Sequence, residues 1–216
     1  MSRTYDTFLF DLDGTITDSA LGITNSVMYA LKKFGIEETD RTKLYKFIGP
    51  PLTESFEKFY GFTKEQSLDG VKYYREYYHD KGIYENRVYD GLEEVLKKIN
   101  EAGKQAIVAT SKPEEYAKII MDHFHLTQYF ACVAGMEMDG GRGTKAQVIT
   151  YALEKNDITD KSKVLMIGDR EHDVIGAHEN GLDCLGILYG FGSRKEFEEA
   201  KADYIRENVE DILQFV

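Results

Sequence analysis

The sequence predicts an α/β fold, a doubly wound parallel sheet with a helical domain inserted after its first strand, and three observations carry that prediction. Phe8-Leu9-Phe10 is a short, continuous apolar run of the kind that forms a strand buried on both faces, and it breaks abruptly on Asp11 and Asp13 with Gly14 behind them. From about residue 17 to 86 the pattern is helical without interruption. From Asp90 onward helical and strand patterns alternate, which implies parallel strands covered by helices on both faces. The expected division is residues 1–16 with 87–216 as the α/β core and residues 17–86 as the inserted helical domain.

After the first strand, Asp18 or Ser19 can cap a helix whose apolar positions Leu21, Ile23, Val27, Met28, Leu31 and Phe34 recur near helical spacing, with Gly35 as its stop. A short helix over 40–47, one from Pro51 to about Gly61, and one from Thr63 with Gln66 in capping-box position complete the insertion. The Tyr-rich end of the last helix, KYYREYYHDKG, predicts half of its rings facing a bundle core, and Arg75 there reads as a structural ion-pair partner. The alternating region begins with a helix over 91–102 stopped by Gly103. It continues with a strand over 105–109 that terminates at Thr110-Ser111-Lys112, then a helix opened by Pro113. Strands over 131–134, 163–167, 184–188 and 203–205 follow, with helices over 144–154 and 171–180, from Arg194, and at the C-terminus. Residues 136–143 form the one loose stretch.

Composition narrows the function classes. A chain of 216 residues with 42% hydrophobic and 30% charged residues can bury one sizeable core plus an insertion. The formal net charge of −11 argues against nucleic-acid polymers, whose binding needs many phosphates neutralised by Lys and Arg, and leaves a small phosphorylated metabolite as the fitting partner. Cys132 and Cys184 lie far apart inside apolar stretches and read as reduced core residues. With no apolar run of membrane-spanning length and no signal-type N-terminus, a cytoplasmic protein without membrane partners is expected.

Four strand ends, or loops just past them, would bring polar residues to one edge of such a sheet: Asp11 with Asp13, Thr110 with Ser111, Lys145, and Asp169 with Asp173. Carboxylates crowded at one place repel each other unless a cation intervenes. Together with a hydroxyl donor and a fixed ammonium, they supply what phosphoryl transfer needs. GGRGTK over 140–145 lacks the order of a phosphate-binding loop, and His123, His125 and His172 read as structural or surface residues.

On DLDGTITD at 11–18, IVATSKP at 107–113, GTKAQVI at 143–149 and IGDREHDVIGA at 167–177, the chain resembles the haloacid dehalogenase superfamily, in its phosphoglycolate-phosphatase-like branch with a helical cap. The resemblance implies a Rossmann-like core and Mg²⁺-dependent hydrolysis of small phosphate monoesters, with Asp11 as the nucleophile that forms an aspartyl-phosphate and Asp13 as acid and base. It further implies Mg²⁺ held by Asp11, the backbone carbonyl of Asp13 and Asp169, with Asp173 in or just behind that shell, and phosphoryl oxygens held by Thr110, Ser111 and Lys145. Arg170, where phosphoglycolate phosphatases commonly carry Ser or Thr, is similar to branches that resemble bacterial 5′-nucleotidases, so nucleoside 5′-monophosphates are the alternative substrates. A phosphomutase is a further alternative, mildly opposed by Thr15, and a catalytically silent phosphate-binding protein is the non-enzymatic one. The segment FIGPPL over 47–52 resembles the cap loop that faces the active site in such phosphatases.

Overall fold

The computed structural model describes residues 3–138 and 141–216, and the chain divides into two compact units, residues 1–17 with 88–216 and residues 18–87. The first is an α/β unit. Its sheet has six parallel strands: β1 (Thr7–Phe10), β4 (Gln105–Pro113), β5 (Val133–Met136), β6 (Val164–Gly168), β7 (Asp183–Ile187) and β8 (Tyr204–Arg206), in the order β5-β4-β1-β6-β7-β8. Phe8 pairs with Ala106 on one side and Leu165 on the other, so β1 is central and every one of its residues is buried. That position explains its unbroken apolar run, because neither face meets water. Leu9, Ile107 and Met166 share one face and pack with Val148, Ile149 and Val174 from the helices α6 (Lys145–Lys155) and α7 (Glu171–Glu179). Each such side chain contributes about 1.5–3 kcal/mol by leaving water.

The strand order fixes where a site can form. From β1 the chain steps outward through β4 to β5, then returns to place β6 against the other side of β1 and steps outward again through β7 to β8. The crossovers therefore diverge between β1 and β6, and a crevice opens at the carboxyl ends of those two strands. Asp11 directly follows β1, and Asp169 directly follows β6. The remaining helices of this unit are α4 (Leu92–Glu101), α5 (Glu114–His123) and α8 (Arg194–Ala200), and the expected C-terminal helix is a 3₁₀ segment, Val209–Phe215.

The second unit is helical: α1 (Ala20–Lys33), a 3₁₀ segment Arg41–Phe47 capped by Asp40, α2 (Leu52–Tyr60) and α3 (Lys64–Asp80). Its core is aromatic, with ring centroids 4.6 Å apart for Phe34 and Phe62 and 5.2 Å for Phe47 and Phe56. Of the Tyr-rich end of α3, Tyr74 and Tyr78 are buried and stacked, as the periodicity predicts. Arg75 is exposed and, against expectation, forms no ion pair among the described residues. Two short strands escape the sequence pattern. β2 (Thr17–Asp18) and β3 (Arg87–Val88) pair with each other at the two points where the chain passes between units, and two residues are too few to show a period.

Candidate active site

Asp11 is almost wholly buried and is fixed by its own backbone, whose N–H donates to the Ile167 carbonyl on β6 at 2.9 Å. Gly14, three residues on, has φ +85° and a reason to be glycine beyond that angle: a Cβ there would lie 2.1 Å from Asp169 Oδ2. The turn after β1 thus approaches the end of β6 as closely as backbone can.

Lys145 is the first residue of α6, placed there by a capping box in which Thr144 Oγ1 accepts from the Gln147 N–H at 3.2 Å and Gln147 Oε1 accepts from the Thr144 N–H at 3.2 Å. Its ammonium is buried between Asp11 Oδ1 at 2.9 Å and Asp173 Oδ1 at 2.7 Å, and it donates to the Ala109 carbonyl on β4 at 3.0 Å. Gly176 on α7 leaves room for the stem, since a Cβ there would stand 2.8 Å from Lys145 Cγ. Burial by itself pushes the ammonium pKa down, but the charges of Asp11 and Asp173 outweigh it and hold Lys145 protonated above the ordinary lysine range. Asp173 sits in the first turn of α7, where its Oδ2 accepts from the Arg170 N–H at 3.1 Å. Burial raises its pKa to about 6, with Lys145 pulling down and Asp11 pushing up. Asp169 is raised well above the carboxylate range, by burial first and then by Asp173 and Asp11.

Sequence reasoning passed over a second buried ammonium. The strand predicted over 105–109 runs on to Pro113, with a register shift between Thr110 and Pro113, and this places Lys112 inside the site with its Nζ 2.6 Å from Asp13 Oδ2. The Lys112 N–H donates to Thr110 Oγ1 at 3.2 Å, which leaves the Thr110 hydroxyl its own proton to donate. Ser111 is half-buried beside it. Arg142, from the irregular stretch between β5 and α6, lies 3.9 Å over the Tyr151 ring and pairs with Glu114 at 3.1 Å and Glu137 at 2.6 Å, latching the chain just ahead of α6. Gly140, the first residue of GGRGTK, and Asp139 lie outside the described residues. Arg170 is turned to Glu196 of α8 at 2.9 Å, and His172 is exposed.

Asp11, Asp169 and Asp173 form a group in which one carboxylate oxygen from each lies within 4.8 Å of the others. The oxygens Asp11 Oδ1, Asp13 Oδ1, Asp169 Oδ1 and Asp173 Oδ1 are buried with no hydrogen-bond donor in line, although the Lys145 ammonium is in ion-pair range of two of them. The ion pairs set the charge balance, and the unused lone pairs remain for a ligand. Four carboxylates beside two ammonium groups leave an excess of two negative charges when all are ionised, the charge of one divalent cation. A set of hard oxygen donors fits Mg²⁺ in kind, so the residues suit the metal.

The model of the haloacid dehalogenase-like hydrolase family matches residues 8–187. The chain is 45% identical to a 5′-nucleotidase from Pseudomonas aeruginosa over 192 residues, covering 89% of this chain and 86% of that protein. It is 36% identical to a protein from Mycobacterium tuberculosis named tyrosine-protein kinase PtkA over 184 residues, covering 85% of this chain and 62% of that one. The crystal structure of a predicted phosphatase from Clostridium acetobutylicum superposes with a TM-score of 0.93 at 47% identity, covering 98% of this chain and 97% of the other. Among the described residues no helix is long and apolar enough to cross a membrane.

Proposed function

This chain is a phosphatase of the haloacid dehalogenase-like hydrolase family, and we propose that it hydrolyses small phosphomonoesters in a Mg²⁺-dependent reaction through an aspartyl-phosphate on Asp11. The observation that supports this most strongly is the Lys145 ammonium held between Asp11 and Asp173 at 2.9 and 2.7 Å, because an anionic nucleophile can approach an anionic phosphoryl group only where positive charge is fixed in advance. Asp11, Asp169 and Asp173, with the Asp13 backbone carbonyl, would hold Mg²⁺, and when bound it neutralises developing charge on the phosphoryl oxygens. Asp11 attacks phosphorus as the ester P–O bond breaks, and Asp13 gives its proton to the departing alkoxide. A water then attacks phosphorus, Asp13 takes its proton, and the bond to Asp11 breaks to release inorganic phosphate. Thr110, Ser111 and Lys145 hold the phosphoryl oxygens throughout, and Lys112 orients Asp13.

Nucleoside 5′-monophosphates come before phosphoglycolate as the substrate class. Arg170 and the 45% identity to a protein named 5′-nucleotidase both favour them. Residues 18–87 act as a helical cap that closes over bound ester and excludes water, in line with the helices α1, α2 and α3 that make up most of that unit. Released phosphate measured over a panel containing nucleoside monophosphates, phosphoglycolate and sugar phosphates, first with chelator and then with Mg²⁺ restored, tests the reading. Activity is expected only with metal, and turnover indifferent to chelation overturns it. Solution scattering that stays identical on adding a phosphate analogue counts against closure.

A further inference from the structure

Asp169 is gripped by backbone from a stretch that carries no charged side chain. Past β7 the chain reads Tyr189-Gly190-Phe191-Gly192, and the Phe191 N–H donates to Asp169 Oδ2 at 2.9 Å. A Cβ on Gly190 would lie 2.4 Å from both Asp169 Cβ and the Gly14 carbonyl oxygen, and one on Gly192 would lie 1.9 Å from the Asp169 carbonyl oxygen. Neither glycine has a positive φ, so both are needed for room and not for conformation. The Tyr189 hydroxyl donates to the Thr15 carbonyl at 3.0 Å, on the turn that follows the nucleophile, and its ring meets Tyr89 edge-on at a centroid distance of 4.9 Å. Burial, reinforced by the nearby Asp169 charge, pushes that phenol well above its ordinary pKa, so it remains a donor.

We propose that Tyr189–Gly192 is a positioning element for the metal site, clamping Asp169 at the end of β6 and the Asp11 turn at the end of β1 into one fixed spacing. The two oxygens of a carboxylate are rigidly linked, so an N–H that holds Oδ2 also aims Oδ1, the buried oxygen with no donor in line. Outer partners of this kind set the orientation of metal-ligating side chains, and losing one typically weakens metal binding about 10- to 100-fold. The inference rests on the reading of Asp169 as a metal ligand.

The test is Mg²⁺ binding by calorimetry on the full chain stripped with chelator, with the melting temperature of the metal-free protein recorded alongside. Tyr189→Phe removes the hydroxyl and keeps the ring, and about a tenfold loss of Mg²⁺ affinity is expected. Gly190→Ala intrudes on both strand ends and should lose more. A purely structural role would lower the metal-free melting temperature and leave Mg²⁺ affinity unchanged, and that result overturns the proposal. Tyr189→Phe decides the matter should Gly190→Ala fail to fold. Asp169→Asn separates the two levels. If it binds Mg²⁺ as tightly as wild type, or wild type binds none, the metal-site reading falls and this inference with it. If Asp169→Asn abolishes binding while Tyr189→Phe changes nothing, only the loop's role is overturned.

Discussion

Lys145 and Lys112 are both buried ammonium groups beside a carboxylate of the turn after β1, with side chains 4% and 6% exposed, and the fold holds them in different ways. Lys145 starts a capped helix, passes the gap left by Gly176, and meets carboxylates from the β1 turn and from α7. Its position follows from how three elements pack. Lys112 reaches Asp13 because one strand shifts register just before Pro113. An ammonium out of water is tolerated only beside compensating charge, and breaking such a pair leaves the partner uncompensated. Lys145 therefore balances the nucleophile, while Lys112 governs only the acid and base, and their removal should differ in size.

The largest effect is expected at Lys145. Lys145→Ala removes the charge between Asp11 and Asp173, and transition-state stabilisation should fall by about 3 kcal/mol or more, roughly a hundredfold in kcat/KM. Lys145→Arg should restore little, because a planar guanidinium does not fit where a compact ammonium sits against α7. Wild-type kcat/KM in the alanine variant would remove Lys145 from the site.

Lys112→Ala should cost less, about tenfold in kcat with KM nearly unchanged. Proton transfer by a positioned group is worth roughly 10²- to 10⁴-fold, and Asp13 without its partner is still present but loses part of its aim. Phosphate-release kinetics on both variants sharpen the comparison. A loss at Lys112 as large as that at Lys145 erases the distinction between balancing a nucleophile and orienting an acid.

This contrast also marks what the sequence could show. Asp11, Lys145 and Asp169 were legible because each follows a clear boundary: an apolar strand, the start of a helical pattern at Thr144, a strand ending in glycine. The parallel sheet was legible for the same reason. Lys112 was not, since periodicity ends the strand at Ala109 and a register shift leaves no mark in composition. The support for Asp169 was hidden more deeply, because the donor is a main-chain N–H of Phe191 and any residue but proline carries one.

A third expectation concerns pH and acts on stability. Burial raises the Asp173 pKa to about 6 and pushes Asp169 well above the ordinary carboxylate range, so the folded, metal-free protein binds protons that the unfolded chain has released by then. That contribution is complete below the ordinary carboxylate range, near pH 4, and is lost as pH rises through the folded-state values. The metal-free melting temperature should therefore lose ground from pH 5 to 7, and the rise produced by saturating Mg²⁺ should grow over the same interval, because metal and proton compete for the same oxygens. A Mg²⁺-induced rise that is flat with pH would separate these carboxylates from the metal.

The smallest effects should come from two capping boxes of the same design. Thr63 opens α3 in the helical unit with Gln66 as its reciprocal partner, and Thr144 opens α6 in the α/β unit with Gln147, and both hydroxyls accept the N3 amide at 3.2 Å. Replacing either threonine by alanine should cost about 1 kcal/mol of stability, since the same orphaned N–H is exposed in each case. Activity should tell them apart. α3 begins far along the chain from any site residue, and Thr63→Ala is expected to leave kcat and Mg²⁺ affinity at wild-type values. Lys145 is the residue that follows Thr144, so fraying of that first turn loosens the ammonium between Asp11 and Asp173, and kcat/KM should fall severalfold for the same loss in stability. Chemical denaturation paired with kinetics on the two variants measures this. Equal losses of activity would mean that global stability limits turnover, and a loss confined to Thr144→Ala would show that the cap works through the lysine it places.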